Sequence, residues 1–174
     1  MNHILKTGCI LLPFISAPVL AGEWHVSYFE DEMRGTATKI LALPSQNQRE
    51  FNFPYAGGST MTLVLRSDKT TLKDGQNPSD LKMSEAMVFI DKGQFTCQSY
   101  NQCYVSVKFD SNPVEKFNVL KAQDHSSDSF FIENSKKFIK QVTNSKKAII
   151  EANFYNEGLV QFKFSLTDID KAKE

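Results

Sequence analysis

The sequence has no surplus of either charge, and it holds only three histidines, three cysteines and one tryptophan among 174 residues. Lysine and arginine together number 20, as do aspartate and glutamate. Domains that bind nucleic acid usually carry a basic surplus or basic residues interleaved with aromatic ones. The balanced charge therefore argues against a nucleic acid as the partner.

The N-terminal apolar stretch is too short for a membrane-spanning helix, which needs about 20 apolar residues. It covers residues 10–20, is interrupted by Pro13 and ends in small residues, and a short segment with one lysine precedes it. Signal peptides have this layout. Val19 and Ala21 suit a signal peptidase site, so we predict cleavage after Ala21 and export to the periplasm or beyond. Cys9 precedes the apolar stretch and does not end it, so we expect no lipid anchor.

Patterns of catalytic residues are also scarce. The mature histidines, His25 and His125, lie about a hundred residues apart, and no serine stands in a Gly-x-Ser-x-Gly motif. Asp124 and Ser126 flank His125, which leaves open a base with an orienting partner or an oxygen-rich cation site. A solvated loop is the favoured interpretation. We therefore predict a protein that is not an enzyme and that holds no metal and no cofactor.

The mature chain has two cysteines, Cys97 and Cys103. Two lone cysteines in an exported protein predict a disulfide. No other cysteine or histidine lies near them in sequence, which disfavours a metal site. Residues 93–97 and 103–107 look like strands on either side of a polar turn, so we predict a hairpin stapled at its mouth.

Short segments rich in β-branched and aromatic residues alternate with turn residues through the mature chain, 22–174. This pattern predicts one mostly β domain with an antiparallel β-sandwich-like fold. The tail from Asp168 is expected to fray, and residues 66–83 to form the longest surface loop. Besides the hairpin, the predicted strands are 23–29, 36–43, 49–53, 60–65, 86–90, 114–120, 129–132, 148–154 and 159–166.

One late helix is predicted from residue 134 or 135 to residue 147, because apolar residues recur there at helical spacing and Ser135 suits an N-cap. Its lysines include Lys136, Lys137 and Lys140. They suggest contact with an anionic partner such as a membrane surface or an acidic protein. A lysine-rich helix face that serves solubility is the alternative and the more common case.

Aromatic residues are numerous, with 14 phenylalanines and five tyrosines. Trp24 is the third residue of the predicted mature chain and is expected to anchor the first strand. Phe53 and Tyr55 lie beside Pro54 and a Gly-Gly pair. They either pack in the core and stiffen the turn or line a recognition groove, and burial trends favour core packing and turn stiffening.

A spaced pattern runs through the mature chain: residues 24–26, Asp31, residues 63–66, residues 105–110, residues 130–132, residues 161–166 and residues 168–172. Its order resembles the small exported accessory proteins of type VI secretion, of the VasI or TagO kind. More remotely, it resembles the invasion-associated locus B proteins. One departure is Ser67, which follows Arg66 where the resemblance would place a cysteine.

The resemblance implies a β-sandwich-like envelope protein without catalysis. It also implies structural roles for Trp24, Asp31, Arg66 and Asp110, with Arg66 directed at Asp31 or Asp110. We therefore expect an accessory or binding protein that contacts a protein of the envelope or of a secretion machine. The alternative function is an immunity or inhibitor protein that neutralises an exported toxin or lytic enzyme.

Overall fold

The structure is a computed structural model that describes residues 22–97, 99 and 103–169. The predicted signal peptide with Cys9, most of the turn between the cysteines and the last five residues lie outside these ranges. The described elements are β1 (His25–Asp31), β2 (Thr36–Pro44), β3 (Arg49–Phe51), β4 (Gly57–Ser59), β5 (Met61–Ser67), β6 (Thr70–Thr71), a 3-10 turn (Pro78–Asp80), β7 (Met83–Ile90), β8 (Tyr104–Phe109), β9 (Glu115–Lys121), β10 (Ser129–Ile132), α1 (Ser135–Asn144), β11 (Lys147–Phe154) and β12 (Gly158–Ser165).

The strands build a large antiparallel sheet in the order β1-β2-β5-β7-β10-β9-β8-β11-β12, with β6 added to β2 and β3-β4 as a separate hairpin. The predicted mostly β, sandwich-like fold with one late helix before a closing strand pair is confirmed. Strand β9 divides the sheet into two halves. The first half contains β1, β2, β5, β7, β10 and the end of β9, and the second half contains the start of β9, β8, β11 and β12. The first part of β9, as far as Asn118, pairs with β8, and its last three residues pair with β10.

The segment that follows β2 meets β12, the last strand of the second half, and the two halves enclose the core between them. After β2, the backbone N–H of Gln46 donates to the carbonyl of Lys163 at 2.8 Å. The N–H of Lys163 donates to Asn47 Oδ1 at 2.7 Å, and Asn47 Nδ2 donates to the carbonyl of Gln161 at 3.2 Å. The Asn47 amide thus takes the place of a strand backbone along the outer edge of β12.

The core follows from strict alternation in the strands, in which every second side chain points inward. Along β5, for example, Met61, Leu63 and Leu65 are fully buried and the residues between them are half-buried. Phenylalanine fills the interior in two groups. One group contains Phe51, Phe95, Phe130, Phe154 and Phe162, and the other contains Phe109, Phe117 and Phe138.

Helix α1 belongs to the second aromatic group, because its Phe138 is fully buried against the edges of Phe109 and Phe117. The helix begins at Ser135, within its predicted bounds, but its N-cap residue and its last residue differ from the prediction. Asn134 is the N-cap and accepts the N–H of Lys137, whereas the Ser135 hydroxyl accepts the N–H of Ala86 in β7 at 3.0 Å. The helix ends at Asn144, since the following residues enter β11.

The predicted disulfide between Cys97 and Cys103 is confirmed, but the predicted hairpin is wrong. Residues 93–97 are not a strand, and β8 pairs with β9 and β11. Phe95 instead forms a bridge with Phe154 and stacks on Phe130 at 4.7 Å between ring centroids. Burial of this ring outweighs local strand pairing, so the disulfide joins a connecting segment to the start of β8.

Two segments predicted as surface carry buried residues. In the excursion after β5, Leu81 is buried, and the carbonyl of Ser79 accepts from Nζ of Lys39, a fully buried residue of β2, at 2.8 Å. Beyond β12, Ile169 is buried in the core. The prediction that the chain frays from Asp168 is therefore wrong for Asp168 and Ile169. An apolar contact holds this last described stretch in place.

Gly93 permits the close packing of Phe51. Its φ is +129°, and a Cβ placed on it would lie 2.6 Å from Phe51 Cε2. We expect Gly93→Ala to lower the free energy of unfolding in urea by about 2–4 kcal/mol, since backbone strain and overpacking add. Gly75→Ala is the control: φ is +76° with open space around it, so strain alone should cost about 1 kcal/mol. Equal losses in the two variants would contradict the packing role.

Candidate functional site

The outer face of the second half of the sheet is polar, as expected for an antiparallel sheet with one wet face. Residues paired across strands point to the same face. Lys116 of β9 pairs with Ser106, Ser106 with Glu151, and Glu151 with Gln161. Gln161 Nε2 also donates to Glu151 Oε2 at 2.7 Å. This line of polar side chains is called the outer polar row below.

The outer face of the first half carries a line of apolar side chains, which we call the outer apolar row. Four successive pairings align its members on five adjacent strands. At a strand separation of about 4.8 Å, the row is about 19 Å long. The first four members are half-buried and the last is 56 % exposed. In order, they are Ala42, Val64, Met87, Phe131 and Leu120.

Arg66 lies over Phe131, the fourth member of this row. Its guanidinium is 5.4 Å from the centroid of the Phe131 ring, and its Nε donates to the Glu85 carboxylate. The partner of Arg66 is therefore Glu85, not Asp31 or Asp110 as the resemblance suggested. Arg66, Glu85 and Phe131 line a cleft of about 480 Å³ at the Leu120 end of the row, together with residues 121–124. Apolar surface and a cation thus adjoin on one exposed face.

The other residues of the family-like pattern have local structural contacts. Trp24 is half-buried against the core. Asp110 has a left-handed φ of 49°, and its carboxylate accepts the N–H groups of Lys146 and Lys147, each at 3.1 Å. These contacts fix the start of β11. Ser67, the departure from the pattern, is buried, and its hydroxyl accepts the N–H of Lys39 at 2.9 Å.

The three lysines predicted for an anionic partner are all exposed, but one is already paired. Lys137 donates to the Glu115 carboxylate and lies 5.6 Å from the Phe117 ring centroid. Lys136 and Lys140 remain on the exposed side of α1. Because Glu115 lowers the local positive charge, the helix is a weaker anion surface than its sequence suggested.

The surroundings of His125 show a turn stabilised by hydrogen bonds. His125 has a φ of 61° and is exposed, and the neighbouring Asp124 carboxylate accepts the N–H of Ser126 at 3.0 Å. This hydrogen bond is the main reason that the pKa of Asp124 lies below its ordinary value. In the part of the chain that the structure describes, no three His, Cys, Asp or Glu side chains are grouped to hold a metal ion.

Phe53 and Tyr55 have different surroundings. Tyr55 is half-buried and packs against the core, as the burial trend predicted. Phe53 is 86 % exposed, so the core interpretation is wrong for this residue.

No protein-family model, curated protein or solved structure matched this chain. Within residues 22–97, 99 and 103–169, no helix is long and apolar enough to cross a bilayer.

The outer apolar row was missed at the sequence level, although a signal exists. Residues 86–90 and 130–132 are apolar without interruption, so both faces of β7 and β10 had to be apolar. Such runs indicate strands covered on both sides. Only the pairing register shows that the second apolar faces of these strands join with β2, β5 and β9 in one line.

Asp31 offers a test of the electrostatics beside β1. Its pKa lies below the ordinary value because Lys69 Nζ donates to its carboxylate at 2.9 Å and Arg34 donates at 3.0 Å. Its carboxylate contacts therefore stabilise the fold above the unfolded pKa, and this contribution is lost as pH falls through the lower folded value. We expect Lys69→Met to raise the titration midpoint of Asp31 in carboxyl NMR, and Lys73→Met to leave it unchanged. A midpoint that does not move in Lys69→Met would contradict the pairing.

Proposed function

We propose that this chain is an exported, non-enzymatic binding protein that acts through protein contacts in the bacterial cell envelope, with the outer apolar row as its contact surface. The observation that carries the proposal is the contrast between the two halves of the sheet. One outer face is polar, and the other presents five aligned apolar side chains. Contiguous exposed apolar surface marks interaction sites more often than chance.

The composition of the row suits a protein partner. Aromatic residues, methionine and arginine are enriched at the centres of protein interfaces. Here Met87 is the middle member of the row, Phe131 is its neighbour, and Arg66 covers the Phe131 ring. Burial of apolar area yields about 25 cal/mol per Å², so covering the row could supply several kcal/mol before the costs of association.

The proposed place of action is the cell envelope. The Cys97–Cys103 disulfide is compatible with an oxidising compartment outside the cytoplasm. The sequence resemblance to secretion-associated accessory proteins suggests a component of an envelope machine as the partner. An immunity or inhibitor function would use the same surface, and the identity of the captured partner separates the two.

Replacement of Met87 with glutamate tests the contact surface. It places a charge in the middle of the apolar row, so we expect affinity for the partner to fall by about 30-fold or more, equivalent to about 2 kcal/mol. The tagged chain captures the partner from periplasmic extract, and the purified pair is then titrated. Ser106→Glu, on the outer polar row, is the matched control and should bind as the wild type does. Unchanged affinity in Met87→Glu, with the fold intact by circular dichroism, would remove the proposal.

Export is tested separately. N-terminal sequencing of the chain from a periplasmic fraction should begin at Gly22, because Ala21 is the predicted last residue of the signal peptide. Ala21→Arg should block processing and leave the precursor with the membrane fraction. A chain that keeps its first 21 residues and stays in the cytoplasm would contradict the envelope setting.

A further inference from the structure

Phe53 stands at the tip of the loop between β3 and β4, on elements that carry no member of the outer apolar row. It is more exposed than any other described aromatic residue, at 86 % against 63 % for Phe29. An isolated exposed phenylalanine gains nothing from folding. The contacts of the loop that carries Phe53 therefore indicate whether its exposure serves binding.

The loop on which Phe53 sits is held on both sides. The backbone N–H of Asn52 donates to Glu157 Oε1 at 2.5 Å, and Asn52 Nδ2 donates to Glu157 Oε2 at 3.1 Å. On the other side of Phe53, the N–H of Tyr55 donates to the carbonyl of Asn52 at 2.9 Å. Phe51 anchors the base of the loop, with its buried ring 5.2 Å from that of Phe154.

This anchoring lowers the entropy that a contact would cost. Binding by a mobile loop must first order that loop, whereas a loop already held in one shape avoids most of this loss. Glu157 contributes a two-oxygen clamp from the distant turn between β11 and β12. Phe53 is thus a preorganised, convex aromatic tip.

The surface around this tip resembles the rim of an interface. Tyr155 and Leu159, on either side of Glu157, are both exposed. A shallow cleft of about 470 Å³ beside Leu159 is also lined by Arg49 and Glu50. Binding hot spots combine an apolar or aromatic anchor with a surrounding rim that excludes water.

We propose that Phe53 inserts into a concave apolar pocket of a partner protein as the anchor of a second contact site. The inference rests on the proposed function, that the chain acts through protein contacts. A protein pocket fits better than an anionic membrane surface because the charges around the loop show no basic surplus. The Glu157 carboxylate is hydrogen-bonded to Asn52, next to Phe53, and the basic groups nearby, Arg49 and Lys92, are matched by Glu50 and Glu157. Loops and helices that bind anionic lipid carry a surplus of lysine and arginine instead.

Site-specific photocrosslinking in the full exported chain tests this inference. Benzoylphenylalanine replaces Phe53 in one variant and Phe29, the exposed control on β1, in another. We expect position 53 to form a covalent adduct with a protein, and the crosslinked peptide to map to an apolar concave pocket of that protein. The absence of an adduct at position 53 above the level at position 29, or adducts with lipid only, would overturn the inference.

Affinity measurements with the purified crosslinked partner supply the second arm. Phe53→Ser should weaken binding by about 30-fold or more, as for a hot-spot anchor. Glu157→Gln should weaken it by about 3- to 10-fold, because one clamp bond to Asn52 is lost while Phe53 remains. Glu32→Gln, the same chemical change in the exposed turn between β1 and β2, should leave affinity unchanged. Because Phe53 is exposed, its replacement should leave the urea midpoint unchanged.

The outcomes separate this inference from the proposed function. If Met87→Glu loses the partner and Phe53→Ser retains full affinity, the Phe53 site is refuted and the outer apolar row stands. If Phe53→Ser loses the partner and Met87→Glu does not, the outer apolar row is refuted and the Phe53 site stands. If both variants retain full affinity, both proposals are refuted.

Discussion

Strand β9 is the constraint on which the rest of the molecule depends, because both halves of the sheet share it. Its inward residues Phe117 and Val119 are buried in the core. Its backbone pairs first with β8 and then with β10, so β9 changes its pairing partner partway along its length. On its outward face, Lys116 begins the outer polar row and Leu120 ends the outer apolar row. The division between a wet face and an apolar face therefore coincides with the division between the halves.

Phenylalanine packing explains why the exposed aromatic residues stand out. Most of the described phenylalanines lie in the two buried groups, where their rings meet at centroid distances between 4.7 and 6.4 Å. Such contacts stabilise a core beyond the burial of area alone. Phe131 and Phe53 are in neither group. One lies under a guanidinium on the outer face, and the other extends from a clamped loop.

Much of the fold could be predicted from sequence, because strand alternation is a local property. The predicted strands at 36–43, 129–132 and 148–154 agree with β2, β10 and β11 to within one residue. The hairpin at the cysteines failed because Phe95 is buried through a bridge to Phe154, which lies 59 positions later in the chain. The outer apolar row and the Arg66–Glu85 pair depend on register between strands distant in sequence. No local pattern contains that register.

The side-chain amide of Asn47 has a consequence for self-association. Open sheet edges invite pairing with another chain. Hydrogen bonds to Gln161 and Lys163 occupy the middle of the β12 edge. At the opposite edge, β1 pairs with β2 alone among the described residues. If only one edge of a sheet is open, the sheet can add one neighbouring chain at that edge and cannot grow further. Growth into a fibre needs two open edges, so this asymmetry disfavours polymerisation through edge pairing.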